Sequence, residues 1–379
     1  MEFTWVKIPD VLFFQEGPGV RNTQYTDKGV KLLNVANLVD SKVDLSTSDR
    51  YISEEEAYGK YKHFLCDSGD FIVASSGIKV EYIDKKMGFI DDSMLPLCMN
   101  TSTIRFKVLD KSKLDIKYFM YYLKSHHFKD QLAHYITGSA QLNYGPSHLK
   151  KMEMPLVNME KQAEIIERLD LLQSIITHRR TQLEKLDLLV KARFVEMFGD
   201  PVSNSMGWKK KRFDEICENL DSRRKPITAT ERISGIYPYY GASGIVDYVE
   251  NYIFDEDILL VSEDGANLLL RSTPIAFSVS GKVWVNNHAH VVRFKKMSLQ
   301  KYIEIYFSLI DISDNITGSA QPKLNQAKLN SIMIPIPEDK LLEQYLFFIK
   351  TVDKSKVAVQ KALDEAQLLF DSLMQEYFG

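Results

Sequence analysis

The pentapeptide Thr137-Gly-Ser-Ala-Gln141 (TGSAQ) recurs as Thr317-Gly-Ser-Ala-Gln321, 180 positions further along a chain of 379 residues. The same offset carries Met154-Pro155 onto Ile334-Pro335, Leu183-Glu184 onto Leu363-Asp364, and Phe198-Gly199 onto Phe378-Gly379. A constant offset from position 137 to position 199 leaves no net insertion over roughly sixty residues, which marks an internal duplication. TGSAQ opens with turn chemistry, because glycine and serine suit tight bends. A turn is needed twice, once in each half. Presentation of Gln141 and Gln321 to a ligand is the lesser reading.

Each copy leads, through a proline, into a long segment free of Gly and Pro and rich in Leu, Glu, Lys and Gln, all strong helix formers. In the first segment Ile165, Leu169, Leu172, Ile176, Leu183, Leu186 and Val190 step by threes, fours and sevens. In the second, Ile349, Val352, Val359, Leu363, Phe370 and Leu373 do the same. Both are a/d seams of about five heptads, or a rod of roughly 50 Å at 1.5 Å per residue. Arg179 and Arg193 interrupt the first seam where the second has Val359 and Leu373, and Lys356 interrupts the second where the first has Ile176. Breaks that do not coincide predict two helices pairing antiparallel, with polar positions setting the register. FGDP (Phe198–Pro201) closes the first helix with a glycine cap and a proline beyond it.

The segments ahead of the helices have a different texture. Runs such as DFIVASS (Asp70–Ser76) and DILLVSE (Asp257–Glu263) read as strands broken by polar loops. One helix is expected near each end, in KYFMYYLKSHHFKDQLAHY (Lys117–Tyr135) and KYIEIYFSLI (Lys301–Ile310). The expected order is globular domain 1–157, helix 158–200, globular domain 201–336 and helix 337–379. The fold class is α/β, more strictly α+β: two globular domains joined by two long antiparallel coiled-coil helices in a pseudo-two-fold repeat.

Composition narrows the function. With 45% hydrophobic and 26% charged residues the chain reads as an ordinary globular protein, and no apolar run is long enough to span a membrane. No basic and apolar leader opens it, so a cytoplasmic location is expected. Cys66, Cys98 and Cys217 lie far apart and suggest reduced thiols rather than a zinc site. A net charge of −3 gives no global basic field, so any nucleic-acid contact must be local. No G-x-x-x-x-G-K-S/T phosphate loop, no Asn-Pro-Pro-Tyr/Phe motif and no nuclease carboxylate pattern occurs, which speaks against a catalytic chain. Asp364-Glu365-Ala366-Gln367 lies inside the heptad helix and has no phosphate loop to serve. His288 and His290 share a strand face without a third ligand, so packing or hydrogen bonding is the better reading and no metal is expected.

The layout resembles the specificity subunit of type I restriction–modification systems. TGSAQ, the Met/Ile-Pro step and the helix ending in Phe-Gly recur in both halves as that family has them. PYYGASGIVDYV (Pro238–Val249), EDGANL (Glu263–Leu268) and GKVWVNNHAHVVRF (Gly281–Phe294) resemble one type of target-recognition domain, and GPGVRNTQYTDKGVKLLNVANL (Gly17–Leu38) another. The resemblance implies a non-catalytic subunit that reads an asymmetric, bipartite site in double-stranded DNA. It also implies two methyltransferase subunits and restriction subunits as partners, with S-adenosylmethionine, ATP and magnesium held by them and no cofactor on this chain. The alternatives are a stand-alone methyltransferase or nuclease, and a coiled-coil scaffold that does not bind DNA.

DNA reading needs cations for phosphates and amide, guanidinium or hydroxyl groups for base edges. In the first domain the candidates are Arg21, Asn22 and Gln24 in a glycine-flanked loop, and Ser75, Ser76 and Lys79 in ASSGIK. In the second they are Ser222, Arg223, Arg224 and Lys225, the densest basic cluster, with a phosphate role favoured for Arg224. Tyr239, Tyr240 and Ser243 follow, then Asn267 and Arg271, and then Asn286, Asn287 and His288. Gln141 and Gln321 complete the set.

Overall fold

The computed structural model describes residues 3–136, 143–318 and 321–379. It divides into two compact units, Met1–His178 with Leu363–Gly379, and Arg179–Ala362. Each long helix therefore contributes one half to each unit, where the sequence suggested four successive pieces. The reason is packing: the helix ends are buried in the globular cores.

In the first unit an antiparallel sheet runs in the order Leu12–Glu16, Thr103–Val108, Phe71–Ala74, Met87–Phe89. Phe71, Phe106, Phe119, Tyr118 and Tyr122 are fully buried on one side of it, and Ile72 and Ala74 are buried on the other, so both faces are covered. The expected single helix is two, Ile116–Lys124 and His126–Tyr135. Ser125 takes an extended conformation, and its hydroxyl accepts from the Phe128 N–H at 3.2 Å, capping the second helix.

The domain is closed where its chain ends meet. Thr4–Lys7 pairs antiparallel with Glu153–Leu156, immediately before the helix Met159–Phe198. On that helix Ile165, Leu169, Leu172 and Ile176 are buried with Ala366, Phe370, Met374, Tyr377 and Phe378 of the helix Asp339–Phe378, and Leu363 and Leu373 pack against the same cluster. Arg168 donates to the Tyr377 hydroxyl at 3.1 Å, and the ring of Phe378 lies 5.2 Å from that of Tyr118.

The second unit repeats the plan. Its sheet has the order Glu218–Asn219, Ala289–Arg293, Ile258–Ser262, Ala276–Val279. Lys210–Arg212 pairs with Met333–Pro335 as Thr4–Lys7 does with Glu153–Leu156. The repeat extends to single bonds. Tyr118 donates to the Pro155 carbonyl at 3.1 Å and Tyr302 to the Pro335 carbonyl at 2.7 Å. Arg105 reaches Gln15 and Asp70 across one sheet, and Arg293 reaches Glu218 and Glu256 across the other. Each domain adds a second sheet, Tyr51–Ile52, Val30–Leu33, Leu97–Met99 in the first and Gly244–Val249, Ser234–Gly241, Lys282–Val285, Phe254–Asp255 in the second.

The helices pair antiparallel within this unit, since Val190 meets Tyr345 through a 3.0 Å hydrogen bond while Asp187 meets Lys356. Val190, Ile349, Val352 and Val359 are buried, and Leu183 and Leu186 are half-buried. Two polar breaks in the seams make contacts across the pair: Lys356 with Asp187, and Arg193 over the ring of Phe348 at 5.7 Å. Arg179 instead donates to Gln182 on its own helix at 2.9 Å.

Phe378 is 2% exposed and packs on Tyr118 and Tyr122. Replacing it by alanine removes a buried ring and leaves a cavity, so Phe378→Ala should destabilise the first unit by about 3–5 kcal/mol. Urea unfolding followed by circular dichroism checks this; an unshifted midpoint would show that the helix end contributes nothing to the domain.

Candidate nucleic-acid interface

Both TGSAQ copies lead into the same place in the fold. After the first, the Tyr144 N–H donates to the Ser75 carbonyl at 2.9 Å; after the second, the Leu324 N–H donates to the Glu263 carbonyl at 2.8 Å. Ser75 and Glu263 each begin the loop that follows the sheet strand Phe71–Ala74 or Ile258–Ser262. The first pentapeptide, with Gln141, lies outside the described residues. In the second, Thr317 and Lys323 exchange two backbone hydrogen bonds of 2.8 Å, closing a hairpin-like turn. Gly318 sits at φ +83, and a Cβ there would come within 2.5 Å of the Gln321 carbonyl oxygen, so glycine is required. Gln321 is exposed at this turn.

In the first domain the loop from Gly17 is held by burial of Val20, whose N–H faces the Asn100 side chain at 3.3 Å. A Cβ at Gly17 would lie 2.0 Å from the Asn100 carbonyl oxygen, which explains one of the flanking glycines. Arg21 and Asn22 are exposed there, and no carboxylate of the described residues pairs with Arg21. Gln24 has a structural task instead: it accepts from the Arg21 N–H at 3.1 Å and donates to Glu56 at 2.6 Å and Tyr61 at 3.0 Å. Ser75 is 1% exposed and turned into the fold, which corrects its placement among surface-reading groups. Ser76 is half-buried and Lys79 is exposed.

The basic cluster of the second domain separates into three roles. Arg223 pairs with Glu256 at 2.6 Å and lies 4.5 Å over the Phe254 ring. Arg224 is 14% exposed and pairs with Glu263 at 2.6 Å, with Asp221 at 3.3 Å and with the Ala289 carbonyl at 2.7 Å. A guanidinium so enclosed is committed to the fold, which corrects the expected phosphate role. Ser222 and Lys225 are exposed, and the backbone beside them is fixed because the Lys225 carbonyl accepts from the Trp284 indole at 2.6 Å.

Other candidates also turn out to be internal. Tyr239 is 1% exposed and its hydroxyl meets the Ile227 N–H at 3.0 Å; Asn286 is 6% exposed and accepts from the His288 N–H at 2.8 Å. Asn267 closes a turn with Ser272 and Thr273. Arg271 donates to the carbonyls of Phe307 and Ile310 at 2.9 and 3.1 Å, satisfying the end of the helix Met297–Leu309. These residues share a cause: loops with unusual backbone paths need polar side chains to complete their hydrogen bonds, and sequence cannot separate that demand from ligand binding. Tyr240 is half-buried, while Ser243, Asn287 and His288 reach the surface, His288 with its Nδ1 2.9 Å from Asp264.

The hydrogen-bonding role read for His290 is the one it has, while its carboxylate partner and the Glu263–Lys323 pair were not foreseen. His290 lies between Asp221 at 2.6 Å and the Leu324 carbonyl at 2.8 Å, and Lys323 faces Glu263 at 3.1 Å. Among the described residues no three His, Cys, Asp or Glu side chains are arranged to hold a metal ion. Burial pushes the thiols of Cys66, Cys98 and Cys217 up to about 12, so none is a ready nucleophile. Among the described residues no helix is long and apolar enough to cross a membrane.

The two domains repeat one sheet order and carry different polar loops. Residues 2–186 and 206–366 match the family described as type I restriction modification DNA specificity domain, and the chain belongs to that family. A putative type I restriction enzyme specificity subunit of Haemophilus influenzae, S.HindORF215P, is 39% identical over 130 residues, covering 34% of this chain and 33% of that one. The MjaVIII specificity subunit of Methanocaldococcus jannaschii is 26% identical over 186 residues, 48% of this chain and 42% of its own. These matches span less than half the length of either relative. The crystal structure of the type I restriction–modification S subunit from M. genitalium aligns with a TM-score of 0.57 at 17% identity, covering 100% of this chain and 96% of that one. At that identity the shared property is the fold.

The charged cluster sets an acid limit. Burial pushes the Asp221 carboxyl up, but hydrogen bonds from His290 and the Val291 N–H, with the Arg224 guanidinium, outweigh it and hold the group below its usual range. Glu263 is likewise pushed up by burial and brought down further by Arg224, His290 and Lys323. A depressed carboxylate contributes stability fully above its unfolded pKa of about 4, and that stability is lost as pH falls through the folded value. The urea midpoint should therefore hold from pH 7 to about 5 and fall steeply below about 4. In Asp221→Asn that acid limb should be shallower; an identical limb would exclude this carboxylate as its source.

Proposed function

We propose that this chain is the non-catalytic specificity subunit of a type I restriction–modification complex. It reads an asymmetric, bipartite site in double-stranded DNA, one half-site per domain, and directs methyltransferase and restriction subunits to it in the cytoplasm. The observation that carries the reading is the duplicated sheet order with unlike loops. A common frame holds two readers equivalently, and different loops read different bases. Arg21, Asn22 and Lys79 in one domain, and Lys225, Asn287, His288 and Gln321 in the other, supply exposed phosphate and base-edge chemistry. S-adenosylmethionine, ATP and magnesium belong to the partner subunits. The test is methyl transfer to duplex DNA: the purified chain should transfer none, and adding the methyltransferase subunit should give sequence-specific transfer. Transfer by the chain alone would overturn the reading.

Lys225 and Arg224 make opposite predictions. Lys225→Ala should weaken binding to all duplexes alike and reduce the slope of log K against log salt by about one unit. Arg224→Ala should first lower the melting temperature, because it leaves Glu263 and Asp221 underpaired. Binding at two salt concentrations together with thermal melts separates them; equal salt effects with no loss of stability would return Arg224 to the phosphate contact.

The partner surface is read from the same repeat. Leu188 and Leu189 are 63% and 46% exposed, and 180 positions on Leu368 and Leu369 are 73% and 50% exposed. Adjacent leucines left in solvent at matching places on both helices fit two identical apolar contacts, hence two methyltransferase copies. Leu368→Asp should reduce the assembly from two bound methyltransferase subunits to one in sedimentation velocity, and Leu188→Asp should do the same. Retention of both copies in each variant would exclude these leucines as the contact.

A further inference from the structure

The second domain holds a polar network that joins segments far apart in sequence. His290 bridges the turn Asp221–Arg223 to Leu324, the third residue after TGSAQ, since its ring nitrogens face the Asp221 carboxylate at 2.6 Å and the Leu324 carbonyl at 2.8 Å. The two nitrogens of one ring thus tie the two segments together. Glu263 makes a second bridge between the same segments: one carboxylate oxygen takes Arg224 at 2.6 Å and the other faces Lys323 at 3.1 Å. The groups are too enclosed to meet DNA, with His290 1% exposed and the side chains of Glu263 and Arg224 at 12% and 14%.

We propose that Glu263 and His290 are positioning residues for base reading in the second domain. They lock the basic turn, the Asn287–His288 loop and the second TGSAQ turn into one arrangement. The proposal rests on the DNA-reading function above. Two observations support it. Each bridged segment carries an exposed candidate, Lys225 beside the turn, His288 beside His290, and Gln321 beside Lys323. The Glu263 N–H donates to the His288 carbonyl at 2.9 Å, so the same residue sets the backbone of the reading loop. Replacing enclosed ion pairs by apolar groups commonly keeps or raises stability, so stability alone does not account for the network. The first domain places neutral Ser75 where the second has Glu263, each accepting the N–H of the residue after asparagine or lysine beyond its TGSAQ. The device therefore belongs to one half-site.

The experiment selects duplexes from a randomised library with the intact chain, then measures binding to the selected duplex and to its single-base variants. Wild type is compared with Glu263→Gln and with Lys323→Met, whose side chain is half exposed and does not threaten the fold. Discrimination against wrong bases should fall at least about tenfold in one half-site and stay intact in the other, since a misplaced base contact forfeits most of its selectivity. The salt slope of Glu263→Gln on non-specific duplex should be unchanged. Equal loss in both halves would show a merely structural role, and undiminished discrimination would overturn the proposal. A lowered salt slope in Lys323→Met with discrimination intact would also overturn it, by assigning Lys323 to a phosphate. If wild type enriches no sequence, the DNA-reading function itself falls, an outcome distinct from failure of the variants.

Discussion

Everything in each half of this protein depends on how a two-residue step, Met154-Pro155 or Ile334-Pro335, is held at the root of its long helix. Proline has no N–H to give a sheet, so it belongs on a two-stranded edge. Here it lies opposite Trp5 in one half and Lys210 in the other, and its carbonyl is taken by a buried tyrosine, Tyr118 or Tyr302. One bond thus ties together the first strand, the last strand and the domain's helix. A buried carbonyl left without that partner would cost about 1–3 kcal/mol.

The far ends of the helices complete the same cores. Phe194 and Phe198 lie 5.0 Å from Tyr302, and Phe378 lies 5.2 Å from Tyr118. The tyrosine that fixes the proline at one helix's root therefore receives the aromatic end of the other. None of these contacts involves a residue of the exposed candidate loops, so the loops can differ between the halves while the frame is kept.

The frame was legible because its signals are periodic and repeated. The 180-residue offset, the heptad seams and the alternating strands each leave a pattern that chance does not imitate. The break at Ser125 was not legible, because a serine inside a helical run marks a cap only when its backbone turns extended. Among the site candidates, sequence located the loops but not the direction of their side chains. Arg271 and Asn267 look like base readers in a polar loop, yet one ends a helix and the other closes a turn. Glu263, Asp221 and Lys323 escaped notice because an isolated charge in sequence resembles a solvated surface, and their longer-range pairs join residues 39 to 69 positions apart.

The two domains differ most where their frames agree best. At the loop beside TGSAQ the first half offers Ser75 and the second Glu263, with Tyr144 and Leu324 at matching positions beyond. A neutral hydroxyl leaves a loop to be shaped by packing and backbone bonds alone. A carboxylate must be compensated, and it draws in Arg224 and Lys323. Once those charges are paired, moving one segment would leave a charge of another underpaired. A difference of side chain at matching backbone positions thus separates a loop shaped by packing from one held by charge, on a frame the two halves share.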